Sequence, residues 1–270
     1  MAFEYQRDEY AFSTWTLIEY PLMDALNILH HYNFDNIEIW ASVQHMDPRL
    51  NPDVHAVQQQ LKQNGQRVHS LHSPILHPFT HPQSDGSFRR YRLDLHRKTL
   101  DYCEAVGAEI MVVHPYDAQY YPYLEKQAPI IRDGIGELIE YAKKRGIKIA
   151  VENLPEKVVQ GRYNTSLIHQ KDIFAGLDVH YCLDIGHVPI LAESTCEEEI
   201  DAVADRLVTF HIHNNNGKTD EHNLPAEGVL NWPAIHDYAR AKGYQGEFVL
   251  ELRGEKNAIE VVKKAAELFQ

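Results

Sequence analysis

Cysteine is scarce in this chain: Cys103, Cys182 and Cys196 are the only three, and no two of them form a CxxC pair. That spacing gives no basis for a disulfide framework or a thiolate zinc site. Long hydrophobic runs are missing as well. No stretch approaches the about 18 uninterrupted apolar residues that a membrane-spanning helix needs. The opening residues, MAFEYQRDEY, are polar and acidic, without the apolar centre of a secretion signal. A cytoplasmic protein with no membrane partner is the expectation. Positive charge is also in deficit, with 26 Lys and Arg against 39 Asp and Glu and a net charge of -13. Such a surface repels polyanions, which weighs against a nucleic-acid partner.

Glycine signatures of nucleotide binding are absent too. No GxGxxG follows the first strand-like segment, so a dinucleotide domain has no support. The GKT at Gly217–Thr219 is no phosphate loop, because the glycine required five residues upstream is Ile212. There is no internal repeat, low-complexity tract or linker, and residues 1–270 read as one domain.

What is present is an alternation of short β-type runs with longer helical patterns. The strand candidates are Ala11–Thr16, Asn36–Ala41, Arg67–His72, Glu109–His114, Lys148–Glu152, Val179–Asp184, Leu207–His213 and Glu247–Leu252. Between them, Leu22, Leu26 and Leu29 share a helical face, as do Val54, Val57 and Leu61, and again Ile135, Leu138, Ile139 and Ala142. Gly65, Gly107, Gly146, Gly176 and Gly243 stand where helix C-caps belong. Eight strands alternating with about eight helices predict an α/β fold with parallel strands, a single (β/α)8 TIM barrel. The length is near the roughly 250 residues typical of such a barrel. A doubly wound open sheet is the competing architecture.

Ionisable residues recur at the C-terminal ends of these strands: Glu38, His72, His114, Glu152, Asp184 with His187, His211 with His213, Asp220 with His222, and Glu251. In a barrel those ends meet at one mouth, where active sites lie. Such side chains are costly to bury unless paired or metal-bound, and imidazole with carboxylate suits Zn²⁺, Mn²⁺ or Fe²⁺. Taken singly, each has a structural reading: Asp184 and His187 as a helix cap, Asp220 and His222 as a solvated loop, Asn214–Asn216 as a turn, Glu38 as a mid-strand residue or the partner of a neighbouring Arg. Recurrence at so many strand ends favours a metal site. His69 and His213 read as supporting residues, and His30, His31, His77, His81, His96, His169 and His236 as surface or capping residues.

The segments LHSP (Leu71–Pro74), VHP (Val113–Pro115), VENLP (Val151–Pro155), CLDIGH (Cys182–His187), FHIHNNNG (Phe210–Gly217), DEH (Asp220–His222), EGVLNW (Glu227–Trp232) and LEL (Leu250–Leu252) occur in an order and spacing that resembles the xylose isomerase-like TIM-barrel superfamily. That group holds sugar (phosphate) isomerases and epimerases together with endonuclease IV-type DNA repair enzymes. The resemblance implies that Glu152, Asp184, His211 and Glu251 hold the catalytic metal of a ketose epimerase. It further implies that His72 and His114, with Glu152 bridging, match a second endonuclease metal site, and that His187, Asp220 and His222 match a third. The endonuclease pattern has Asp-Arg-His where this chain has Glu221 in the middle, and a Tyr where this chain has Ile75. Both departures weaken a DNA-repair reading.

The implied activity is isomerisation or epimerisation of a sugar or sugar phosphate. Glu152 and Glu251 would transfer the proton and His187 would bond a substrate hydroxyl. The implied cofactor is a divalent ion, Zn²⁺ or Mn²⁺ first, then Fe²⁺ or Co²⁺. Glu38, Trp15 and Lys218 are candidate substrate contacts, with Phe12 and Trp40 beside Trp15 as an apolar wall. Abasic-site phosphodiester hydrolysis and a non-catalytic metabolite-binding barrel are the alternatives. Members of this group form dimers or tetramers, so a homo-oligomer is an expectation to test.

Overall fold

The computed structural model of the chain describes residues 6–75, 87–115, 124–155 and 165–269. His77, His81 and Arg162 lie outside them. The strands are β1 (Tyr10–Ser13), β2 (Asn36–Trp40), β3 (Arg67–His72), β4 (Ile110–Val113), β5 (Lys148–Glu152), β6 (His180–Asp184), β7 (Leu207–Ile212) and β8 (Phe248–Leu250). All pair in parallel with their sequence neighbours, and β8 closes on β1. The closed eight-stranded TIM barrel is therefore present, and the open sheet is excluded.

The helices are α1 (Leu22–His31), α2 (Val54–Asn64), α3 (Ser87–Val106), α4 (Leu124–Lys143), α5 (Leu167–Ile173), α6 (His187–Leu191), α7 (Cys196–Val203), α8 (Trp232–Ala241) and α9 (Ala258–Glu267). Their starts and stops follow local chemistry. Asp53 caps α2 by accepting from Ala56 N, and Gly65 ends it at φ 68, a left-handed position that costs glycine little. Thr195 and Glu198 form a reciprocal capping box at α7. The other four predicted cap glycines also have positive φ.

Strand residues alternate between two buried environments. Ile37, Ile39, Leu71, Met111, Val113, Ile149, Val151, Leu183, Phe210, Ile212, Phe248 and Leu250 join the shell between barrel and helices. Ile110, Val112, Ala150 and Cys182 form a separate cluster in the barrel interior. Each fully buried Leu, Ile or Phe contributes about 1.5–3 kcal/mol, so the outer shell carries most of the stability. Phe12 belongs to that shell, fully buried with its ring 4.6 Å from Phe34. It is not a mouth residue, which corrects its place in the expected apolar wall.

Two bulges set the phase of the site. On β3, Ile37 pairs with Val68 but Glu38 pairs with Ser70, so His69 is an extra residue. On β7, Tyr181 pairs with Leu207 but Cys182 pairs with Thr209, so Val208 is extra. Val68 and Leu207 face the helices. Strict alternation would send Ser70, His72, Thr209 and His211 the same way. The inserted residue flips the phase and turns all four inward.

Candidate metal centre

Strand ends and the loops just beyond them gather the predicted side chains into three groups. In each group the ligand-type atoms lie within 4.8 Å of one another. Glu152, Asp184, His211 and Glu251 form the first, His72, His114 and Glu152 the second, and His187, His213, Asp220 and His222 the third. Every residue assigned to a metal from the sequence is in one of them, and Glu152 is shared by two.

In the first group all four side chains are buried. His211 Nδ1 is 3.2 Å from Glu152 Oε1, 3.5 Å from Glu251 Oε2 and 3.9 Å from Asp184 Oδ2. In the second, His72 Nε2 and His114 Nε2 lie 3.2 and 3.1 Å from the other oxygen of Glu152. In the third, Asp220 Oδ2 is 3.0 Å from His222 Nε2 and 3.5 Å from His187 Nε2.

The histidines are oriented from behind. Nδ1 of His72 donates to the Ser73 carbonyl at 2.7 Å, Nδ1 of His187 to the Asn153 carbonyl at 2.8 Å, and Nδ1 of His222 to the Glu251 carbonyl at 2.9 Å. Each ring therefore presents the Nε2 lone pair to its group, as a metal ligand must.

Charge makes the same case. Burial alone would raise the Glu152 carboxyl, but His211 and His114 outweigh it and hold it well below the usual carboxylate range. Asp184, opposed by burial in the same way, is held low by His187 and His213. Glu251 goes the other way, raised to about 7 by burial and by Glu152 and Asp184 nearby, against the pull of His211 and His222. His187 and His211 rise well above their ordinary value, because the carboxylates overcome burial. Among the described residues, the charged partners of Glu38, Glu152, Asp184 and Glu251 are all imidazoles. Asp220 Oδ1 and His213 Nδ1 are buried without a hydrogen-bond partner among the described residues. Buried acids without Lys or Arg, facing oriented imidazole lone pairs, form a donor set that fits a divalent cation.

Other expectations are met or corrected residue by residue. Trp15 is half-buried, its ring 4.6 Å from His222 and 5.7 Å from Trp40, whose own ring is 5.2 Å from His72. The two indoles thus stand against the third and second groups. Glu38 is fully buried on β2 beneath His211, 3.2 Å from its Nε2, and cannot meet a substrate there. Lys218 is exposed on the loop after β7 and belongs to none of the three groups. Its N–H closes a turn onto Asn216 Oδ1. Arg253 sits at the rim and donates to the Asp220 carbonyl at 2.7 Å. Glu221 braces its own loop by accepting from Asn216 and Asn223.

His69 keeps a supporting role inside the barrel, 3.0 Å from Thr209 Oγ1. His213, read as supporting, stands within the third group. His96 and His236, read as surface residues, are buried. Leu93, His96, Leu100 and Cys103 share one helical stripe, and His236 lies one turn after the buried Trp232.

Sequence reasoning missed Asn153. Its side chain clamps the backbone of Asp184 from both sides, accepting from the N–H at 2.7 Å and donating to the carbonyl at 2.8 Å. Gln170 was missed as well, and it donates to the Glu152 carbonyl at 2.8 Å. Asn153 follows Glu152 directly in VENLP, which was the available signal, whereas no residue pattern on α5 marks Gln170.

Comparison with known proteins agrees with the fold. Residues 26–270 match the family described as xylose isomerase-like TIM barrel. Fructoselysine 3-epimerase of Escherichia coli O157:H7 is 23% identical over 241 residues, covering 86% of each chain. A crystal structure of a D-tagatose 3-epimerase-like protein superposes with a TM-score of 0.77 at 22% identity, over 96% of this chain and 97% of that one. The IOLI protein, crystallised with a binding zinc atom, superposes with a TM-score of 0.73 at 18% identity, over 96% and 95%.

Proposed function

The chain belongs to the xylose isomerase-like TIM-barrel family, and from that premise we propose that it is a metal-dependent isomerase or epimerase of a sugar or sugar-like α-hydroxy ketone. One observation carries the reading. Four buried ligand-type side chains, from β5, β6, β7 and the end of β8, turn one atom each toward a common point. Glu152, Asp184, His211 and Glu251 are the proposed ligands, for zinc or manganese first. The zinc atom named for the IOLI protein and the epimerase activity named for fructoselysine 3-epimerase both support the reading.

A bound divalent cation would supply Lewis acidity, stabilising the negative charge that develops when a proton leaves the carbon beside a carbonyl. The chain's own residues would do the rest. Glu152 and Glu251 stand on strands three apart around the barrel and flank the centre. One takes the proton from the substrate carbon and keeps it, and the other, protonated beforehand, gives its own proton to the opposite face. His187, through its free Nε2, accepts from a substrate hydroxyl. Trp15 and Trp40 cover the apolar face of the sugar. The test is proton exchange in heavy water across a panel of ketoses and ketose phosphates, using metal-loaded protein. Deuterium should enter the carbon next to the carbonyl of at least one substrate and should cease to do so on chelation. No exchange with any of them would overturn the reading.

A second reading has its own observation. The two further groups, one sharing Glu152, match a three-metal set suited to phosphodiester hydrolysis, in which metals activate water and hold the leaving oxygen. Cleavage of a duplex with an abasic site, abolished by chelation, would favour it over proton transfer.

A further inference from the structure

We propose that Glu38 is a positioning residue of the principal centre. It fixes the ring of His211 so that Nδ1, and not Nε2, is offered to the cation. The inference rests on the metal reading of Glu152, Asp184, His211 and Glu251.

The argument starts from a contrast among the histidines. His72, His187 and His222 each commit Nδ1–H to a backbone carbonyl and turn Nε2 toward their group. His211 is reversed. Its Nδ1 faces Glu152, Glu251 and Asp184, and its Nε2 lies 3.2 Å from Glu38 Oε2. No backbone carbonyl is paired with this ring among the described residues. Both ring nitrogens face a carboxylate at 3.2 Å, but Glu152 is itself a proposed ligand, so with a cation in the group Glu38 is the acceptor left for the ring proton, which stays on Nε2 and leaves the lone pair on Nδ1. Glu38 thus does for His211 what main-chain carbonyls do for the other three.

The surroundings of Glu38 leave it no other evident task. It is wholly buried, with 0% of its surface exposed, and His211 stands between it and the mouth. Ser70 Oγ donates to Oε2 at 2.8 Å, so one oxygen receives both the hydroxyl and the imidazole. Oε1 has no hydrogen-bond partner among the described residues. A carboxylate held this way is expensive, and no Lys or Arg answers it, so the His211 ring is its charge partner. The arrangement also depends on the β3 bulge, which brings Ser70 into register with Glu38 and turns its hydroxyl inward. Two strands are therefore shaped to hold this acid beneath one ring. A carboxylate behind an imidazole makes the ring a stronger donor and locks its tautomer, so Glu38 governs how tightly and in what direction the cation is held.

The experiment uses the full chain, with zinc alone as the probe. Zinc affinity is measured by competition with a chromophoric chelator for wild type, Glu38→Ala, Glu38→Gln and Ser70→Ala. In parallel, ¹⁵N spectra of histidine-labelled, zinc-loaded protein report which ring nitrogen is bound. Glu38→Ala should weaken zinc by roughly 10- to 100-fold. Glu38→Gln keeps an acceptor without the charge and should fall between it and wild type. Ser70→Ala should have the smallest effect. The wild-type spectrum should hold an Nδ1-bound ring with a protonated Nε2, and Glu38→Ala should lose that signature. Should Glu38→Ala fail to fold, Glu38→Gln and the wild-type spectrum still decide. Wild-type zinc binding matched by the Glu38 variants, or His211 bound through Nε2, would overturn this inference alone. Wild type that takes up no zinc would remove the metal reading and this inference with it.

Discussion

His213 and His222 stack with their ring centroids 3.7 Å apart and their planes 19° from parallel. His213 Nε2 is 2.9 Å from Asp184 Oδ1, and His222 Nδ1 donates to the Glu251 carbonyl. The third group is thus joined to two proposed ligands of the principal group through this one pair of rings. Gly186 lies against the stack. A Cβ added there would stand 2.0 Å from His213 Cε1.

Gly186→Ala is therefore expected to displace the His213 ring. The backbone is not the obstacle, since Gly186 has φ -70, which alanine adopts freely. Overpacking of this kind costs about 1–3 kcal/mol. Urea denaturation should show that loss for the single variant, and His213→Ala in the same chain should relieve much of it. Losses that simply add in the double variant would contradict the steric account.

Phe12 and Trp15 stand three residues apart and should respond differently. Phe12→Ala empties a fully buried site in the outer shell and should cost about 3–5 kcal/mol. Trp15→Ala, at a half-buried position beside His222, should destabilise less and raise KM more than it lowers kcat. Equal stability losses with unchanged KM would remove Trp15 from the substrate wall.

Acid should destabilise the fold in part through His45. This residue is fully buried, and its Nε2–H donates to the Tyr20 carbonyl at 2.8 Å. Burial pushes it down to about 4, although the backbone bond opposes that. In the unfolded chain it titrates near its ordinary value of about 6.5. Between these values the unfolded chain binds a proton that the folded chain excludes, so stability falls as pH drops from about 6.5 to about 4. One histidine contributes about 1.4 kcal/mol per pH unit to that slope. Denaturation of His45→Gln across the same range should give a shallower slope. An unchanged slope would show that His45 is already protonated in the fold.

Much of this was legible in the sequence, and the remainder was not for definable reasons. All eight strands were found, β3 and β5 with both ends exact and no end off by more than three residues. Strand β1 stops at Ser13 because residues 14–17 wind into a 3-10 helix capped by the Ser13 hydroxyl. The metal-type residues were readable because every strand end of a parallel barrel points to one mouth, whatever the details of packing. Glu38 was misread as a substrate contact because its depth depends on pairing register, and the β3 bulge that sets it leaves no mark in the residue pattern. His213 lies two residues after His211 and follows the β7 strand, so its entry into the third group depends on the loop beyond. His96 could have been read correctly, since its spacing from Leu93 and Leu100 places it on the buried stripe.

Glu152→Gln and Glu251→Gln should each cut turnover by about 10²- to 10⁴-fold or more, the range set by removing an acid–base group. The circular dichroism of both should match wild type. Retained activity in both variants would remove the two glutamates from proton transfer.

The most direct test of the account is the metal content per chain of protein purified without added metal, measured by elemental mass spectrometry. The account predicts roughly one equivalent or more of zinc, manganese or iron, released by chelation and restored on reconstitution. A chain that carries no divalent metal, and takes up none on reconstitution, would contradict the ligand role of Glu152, Asp184, His211 and Glu251.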